Sequence, residues 1–389
     1  MKVLIVHPHM AVYGGAETVV IKLSQNLTEK GVETAILTLS VSPALLDVCK
    51  DLRLIKPAKN FPYTLKSTSF LHATGLINEI FGLRTLVRKN AHLFDVINFH
   101  NFPATWSLFP INKPSVWMCN EPPDLWTNPN PSVPLRLLRN CGRQVDKWIV
   151  NKYVTSICVA DKFNAERVSD RYGRQSSIIP YGIDCDFVSR GNGKKMVDKF
   201  CLEDKFVLLQ VGWFTPQKNQ LESIEVVKKL KNDIPNIKLI LVGSDDSSYA
   251  RMIKSYIHRN NLEDQILLTG HLSKECVRDL YHACNVLVHP IKEQGGWLTP
   301  FEALCASKPI IVSRKMSASD IIEREKIGVV TDNFVEAVLN IHNNPEKYLN
   351  MAIKGKQFVV DKLSWEKFCK RMLKVFENVN NLNIVGIHA

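Results

Sequence analysis

From Phe206 to Val312 short apolar runs and amphipathic stretches take turns without a break, and this alternation restricts the possible folds more than any other feature. Phe206 to Val211 reads as a buried strand. Leu221, Ile224, Val227 and Leu230 then recur at helical spacing on one face. The pattern repeats as strand Ile237 to Val242, helix Tyr249 to Ile257, strand Ile266 to Leu268, helix Cys276 to His282, and strands Val286 to Val288 and Ile310 to Val312. A strand that rejoins its sheet through a helix runs parallel to its predecessor, so the helices cover both faces. The expected product is a doubly wound α/β domain.

The first half carries the same signature. Val3 to Val6 is a strand, and a loop with Gly14 and Gly15 leads into a helix with Ala16, Val19, Val20, Leu23 and Leu27 on one face. That helix stops at Gly31, and Val32 to Leu39 is the next strand. Such a βαβ unit binds ligands at its strand C-termini. At 389 residues the chain exceeds the size at which one core stops growing, so two domains are expected. Ser189 to Lys195, polar and glycine-bearing, reads as the linker. The division is then residues 1–190 for an N-terminal Rossmann-like domain and 200–364 for a second one. Residues 365–389 hold a helix, Trp365 to about Phe376, with no following strand to serve and able to cross back to the first domain.

The second domain contains the clearest candidate site. Strand Val286 to Val288 runs through His289 and Pro290 into Lys292, Glu293, Gln294, Gly295 and Gly296, and then onto a new helix at Trp297, Leu298, Thr299, Pro300, Phe301 and Glu302. A helix start offers unsatisfied N–H groups and a positive dipole end, while glycines let a diphosphate approach the main chain. A carboxylate one turn into the helix can then bond a ribose. The same residues also spell a capping box, with Thr299 as N-cap, Pro300 at the first helical position and Glu302 folding back. The motif alone does not choose between these readings.

Charge and cysteine content narrow the class. No apolar run is long enough to span a bilayer, and Met1 to Pro8 is too short and too quickly broken for a signal peptide, so a cytosolic protein is expected. The 10 cysteines are dispersed and form no C-x-x-C pair, which fits small buried apolar residues rather than a disulfide scaffold. A net charge of +12 suits a diphosphate, an anionic bilayer or nucleic acid, but no nucleic-acid recognition module is present. Arg136, Arg139, Arg143 and Lys147 share one helical face between Pro134 and Tyr153, with Leu137, Leu138, Val145, Trp148 and Ile149 on others. That arrangement fits either a basic amphipathic helix lying on an anionic membrane or an ordinary solvated face. His100, closing the strand Val96 to Phe99, is a cleft candidate or a satisfied loop histidine. Asp184-Cys185-Asp186 is a literal D-x-D, but a hard-cation site needs oxygen ligands converging from several elements.

Taken in order, these elements resemble the retaining glycosyltransferases of family 4. They are Gly14 to Glu17 after the first strand, Pro180 to Asp184 at the end of the first domain, Gly212 to Asn219, Val242-Gly243, Gly270, and Gly295 to Glu302 leading into Ala303 to Pro309. The resemblance implies the GT-B fold, two Rossmann-like domains facing across a cleft. It also implies a UDP- or GDP-sugar donor held by the second domain and a saccharide or lipid-linked acceptor held by the first. Carried over, Lys218 would contact the pyrophosphate and Glu302 the ribose. Gly295 and Gly296 would line the phosphate or sugar edge, with Gly212, Gly243, Trp297, Leu298 and Thr299 around the donor and Gly14 and Gly15 closing the cleft.

Three positions depart from the family pattern. Its paired glutamates would put the first at Gln294, one residue beyond Glu293. Trp213 replaces an arginine, and Asn120 stands where many members carry histidine. Glu293, Gln294 and Asn120 would then position groups rather than attack. The resemblance implies front-face transfer with no cofactor and no metal, the nucleotide sugar being a co-substrate. A nucleotide-sugar epimerase on the same fold, or a non-catalytic sugar- or membrane-binding homologue, is the alternative.

Overall fold

The computed structural model describes all residues except 12, 62–69, 124–132, 245, 293–296 and 387–389. It divides into two compact units, one of residues Met1–Gly182 with Trp365–Ala389 and one of Ile183–Ser364. The first unit runs β1 (Lys2–Val6), β2 (His9–Met10), α1 (Gly15–Glu29), β3 (Glu33–Leu37), β4 (Ser40–Val41), α2 (Pro43–Val48) and β5 (Leu54–Ile55). It continues with α3 (Phe70–Asn90), β6 (Val96–His100), β7 (Ser115–Met118), α4 (Val133–Tyr153), β8 (Ser156–Val159), α5 (Lys162–Tyr172) and β9 (Ser177–Ile178). Seven strands form a parallel sheet in the order β5-β3-β1-β6-β7-β8-β9. The order reverses direction beside β1, so the C-terminal ends of β1 and β6 border the crevice where such sheets place ligands. Leu4, Val6, Leu37, Ile97, Phe99 and Trp117 fill one core beneath α3 and α4.

The second unit begins with two helices, α6 (Cys185–Ser189) and α7 (Gly193–Phe200). Strand β10 (Phe206–Val211), α8 (Gln220–Leu230), β11 (Ile237–Val242), α9 (Ser248–Arg259), β12 (Ile266–Gly270), α10 (Lys274–Ala283), β13 (Val286–His289), α11 (Leu298–Cys305) and β14 (Ile310–Val312) follow. The unit closes with α12 (Ser319–Glu325), β15 (Val329–Val330), α13 (Phe334–Asn343) and α14 (Pro345–Lys362). Its six parallel strands lie in the order β12-β11-β10-β13-β14-β15, again switching direction at the first strand of the unit. Leu208, Leu239, Leu241, Val286 and Val288 are fully or almost fully buried, as the unbroken apolar runs require of strands covered on both faces.

The Ser189–Lys195 stretch is not the open linker that its composition indicates. Asp279 accepts the Asn192 N–H at 3.0 Å, His282 Nε2 donates to the Val188 carbonyl at 2.8 Å, and the Asn192 side chain caps α7. Its glycines allow close packing rather than slack, since a Cβ on Gly191 would sit 2.3 Å from the His282 ring. The chain enters the second unit at Ile183 and leaves it at Ser364 side by side, with Ile183 N–H donating to Leu363 O at 2.6 Å. The final helix, α15 (Trp365–Gly386), is longer than expected from the sequence. It packs on α1 of the first unit, where Cys369 Sγ approaches the Lys22 carbonyl and the Phe368 ring lies 6.1 Å from that of Tyr181. Among the described residues no helix is long and apolar enough to cross a membrane.

Candidate functional site

In the second unit the loops after β10, β11 and β13 lock together through main-chain contacts that only certain residues permit. Gly212 and Gly243 both take positive φ, +151° and +153°, and a Cβ on Gly243 would fall 2.1 Å from the Gly212 carbonyl oxygen. Glycine is therefore required at Gly243 for the two loops to touch. Lys218 lays its alkyl chain along Gly212, with Cδ 3.6 Å from where a Cβ would be. Its carbonyl accepts from Gln210 Nε2 at 2.7 Å, and Gln210 in turn accepts from Ser223 Oγ at 2.7 Å. Gln220 Nε2 holds the Trp213 carbonyl at 2.9 Å, while the Trp213 indole is exposed. Asn219 Nδ2 bonds Pro290 O at 3.0 Å and Lys292 N bonds Gln217 O at 2.8 Å, tying the Lys218 loop to the loop after β13. These buried amide bonds fix the backbone that carries Lys218.

Helix α11 begins at Leu298, two residues before the capping-box reading starts it. Trp297, not Thr299, is the N-cap, and no side chain caps it. That reading is corrected by the absence of a side-chain cap and by the partner of Glu302. Glu302 Oε2 accepts the Tyr281 hydroxyl at 2.8 Å. Trp297 is buried with its ring 4.6 Å from Phe301, which anchors the first turn in the core and leaves Leu298 and Thr299 partly exposed. Glu302 is thus a carboxylate aimed by a buried phenol instead of spent on its own helix. Burial raises its carboxyl above the ordinary range and the Asp184 charge adds to this, while Tyr281 and Lys274 act in the opposite sense. Asp184 itself caps α6 through the Phe187 N–H at 3.1 Å. Glu293, Gln294, Gly295 and Gly296 lie outside the described residues.

In the first unit, α1 starts at Gly15 with Gly14 as N-cap, and Glu17 Oε2 accepts the Gly14 N–H at 3.1 Å. The other oxygen of Glu17 is 3.4 Å from His7 Nε2, so this helix start already has an anion of its own. His100 is fully buried. Asn98 donates to Val116 O, leaving its oxygen to accept from His100 Nε2 at 2.7 Å, so the unprotonated nitrogen of His100 is Nδ1. Burial, with help from His7, lowers its pKa to about 3, and the ring stays neutral at working pH. Asn120 is held at both ends of its amide, donating to Asn101 Oδ1 at 2.6 Å and accepting from the Tyr181 hydroxyl.

The sequence reading missed Tyr281, Gln210 and Ser223. Nothing in their spacing marks them, because their task is to aim another residue. Tyr181 was read only as part of a motif, and its hydroxyl proves to hold Asn120.

Residues 194–358 match the family model described as glycosyl transferases group 1, and residues 13–187 match the model described as glycosyltransferase family 4. An uncharacterised glycosyltransferase of Methanocaldococcus jannaschii is 29% identical over 178 residues, which is 44% of this chain and 48% of the relative. A lipopolysaccharide 1,2-N-acetylglucosaminetransferase of Salmonella typhimurium is 23% identical over 52% of this chain and 56% of its own length. The matched segment therefore spans about half the length of these curated relatives. The crystal structure of Anabaena HepE with UDP-glucose superposes with a TM-score of 0.77 at 15% identity, covering 97% of this chain and 100% of that one.

Proposed function

The chain belongs to glycosyltransferase family 4 and has its GT-B fold, and from that premise we propose that it transfers a hexosyl group from a UDP- or GDP-sugar to a saccharide or lipid-linked saccharide of a surface glycan. The observation that carries the reading is Glu302. A partly buried carboxylate held by Tyr281, one turn into a helix at the C-terminal edge of a parallel sheet, has the chemistry to accept both hydroxyls of a ribose. Lys218, on the interlocked loop of the same unit, supplies the cation for a diphosphate. That charge becomes more valuable as the glycosidic bond breaks and the diphosphate departs, so it acts on the transition state more than on the bound donor. Leu298 and Thr299 offer first-turn N–H groups of α11 in the same unit.

On the acceptor side, Gly14, Gly15 and Asn120 belong to the first unit, and Asn120 is pre-oriented by Asn101 and Tyr181. A fixed amide can hold an acceptor hydroxyl but cannot take its proton, and neutral, buried His100 is poorly placed to do so. The reading therefore has the departing diphosphate receive the acceptor proton, as expected for front-face transfer with retention. The Salmonella relative is by name a lipopolysaccharide 1,2-N-acetylglucosaminetransferase and the Anabaena protein is seen in complex with UDP-glucose, which supports a saccharide acceptor and a UDP-sugar donor.

The test is nucleoside diphosphate release across a panel of UDP- and GDP-sugars, with and without saccharide acceptors. Release that rises with acceptor, with the product keeping the donor's anomeric configuration, is expected. Interconversion of the donor sugar without release would identify an epimerase, and donor binding without turnover a non-catalytic homologue.

A further inference from the structure

Of the basic stripe on α4, Arg136 alone is fully turned to water. Asp146, in mid-helix and fully buried, accepts from Trp106 Nε1 at 2.8 Å, Arg171 at 2.9 Å and the Tyr172 hydroxyl at 2.7 Å. Those three bonds fix the rotation of the helix, with Ile149 and Val150 inward. Arg139, Arg143 and Lys147 consequently fall at the half-buried flank, while Leu137, Val145 and Trp148 are 63%, 44% and 47% exposed. Helix α3 does the same, with Ile77 at 51% and Phe81 at 59%.

Aromatic and cationic contacts join the two helices. The Arg84 guanidinium lies 5.0 Å above the Phe109 ring, Phe109 is 5.6 Å from Trp148, and Lys152 Nζ is 5.3 Å over Trp148. Phe81, Arg84, Thr85 and Arg88 line a surface cavity of about 420 Å³. The acids of these helices do not oppose this charge: Glu79 of α3 faces His9 at 3.2 Å and Asp146 of α4 is buried. The exposed surface thus carries large apolar and aromatic side chains among uncharged polar ones such as Asn78, Asn140 and Gln144, with cations but no exposed acid on the two helices. Soluble surfaces seldom expose such a patch without a partner, and aromatic rings beside cations suit the boundary between lipid headgroups and acyl chains.

We propose that this face docks the first unit on an anionic phospholipid surface, with Phe81 and Trp148 entering the interface and Arg84 and Arg88 seating lipid phosphates in the cavity between them. Attachment then has two separable parts, an apolar one that salt leaves intact and an electrostatic one that salt screens. Neither part uses the donor residues, so the proposal stands or falls independently of the transfer reaction.

Sedimentation of the full chain with vesicles tests it, using phosphatidylcholine alone or mixed with phosphatidylglycerol. Binding to the mixed vesicles is expected, weakening but persisting as salt rises. R84A/R88A should lower partitioning about 25-fold at low salt, two cations at roughly fivefold each. F81S/W148S should abolish the part that survives high salt. All four side chains are at the surface, and a thermal unfolding profile unchanged from the wild type would confirm that both variants fold. Failure of the wild type to sediment with mixed vesicles at low salt would overturn the proposal, as would binding indifferent to both variants. A solution dimer that F81S/W148S splits into monomers would also overturn it, by showing that a second copy covers the face.

Discussion

Replacing Glu302 by glutamine separates binding from stability, because the two should move in opposite directions. Burial holds the carboxyl above its ordinary pKa, so the fold favours the protonated form over the charged one. A group raised in this way contributes stability that is present at low pH and is lost as pH rises through the folded-state pKa. Glutamine resembles the protonated form at every pH and can still accept from Tyr281. Glu302→Gln should therefore raise the melting temperature at neutral pH, by an amount that shrinks as pH falls through the folded-state pKa of Glu302 and vanishes below the ordinary carboxylate value. Donor affinity should go the other way. Hydrogen bonds from ribose hydroxyls to a carboxylate are worth about 1.5–3 kcal/mol, so Glu302→Ala should weaken nucleoside diphosphate binding by roughly 10- to 150-fold. The glutamine variant should fall between alanine and wild type. Calorimetry with UDP and GDP, and thermal melts across pH, measure both. A glutamine variant that melts lower at neutral pH, with unchanged nucleotide affinity, would refute the argument and leave Glu302 a structural residue.

Lys218→Ala should reduce kcat/KM at least about tenfold, and Lys218→Arg should restore only part of it because a planar fork does not replace a point charge; steady-state kinetics decides this. Activity should survive EDTA, and a strict requirement for Mn²⁺ or Mg²⁺ would bring Asp184 and Asp186 back as ligands. Asp146→Ala should cost about 3–5 kcal/mol in a denaturant titration, since it strands the Arg171 guanidinium and two further donors in the interior.

The alternation from Phe206 to Val312 made the second unit legible almost strand for strand, because parallel strands buried on both faces cannot hide their apolar runs. Local polar patterns were less reliable. Thr299-Pro300-Phe301-Glu302 spells a cap, yet Tyr281, distant in sequence, outcompetes the helix's own N–H groups for the Glu302 carboxylate. Ser189 to Lys195 has a linker's composition, but Asp279 and His282, also remote in sequence, fix it. The outward face of α4 was hidden for the same reason, since periodicity shows that a helix has faces but Asp146 and its three donors determine which one turns inward. Each miss is a tertiary partner overriding a local preference.

Because the final helix completes the first unit, the two units cannot finish folding in the order in which they are made. The second unit is a single continuous segment, entered at Ile183 and left at Ser364 through adjacent strands of backbone, and it has all its parts once Ser364 has emerged from the ribosome. The first unit, although nearly all of it is synthesised earlier, must wait with the α1 surface uncovered until Trp365–Gly386 arrives. Domains generally fold in order of synthesis. Here the nascent chain holds an incomplete domain open around a finished one, so truncation after Ser364 should spare the second unit and leave the first prone to aggregation.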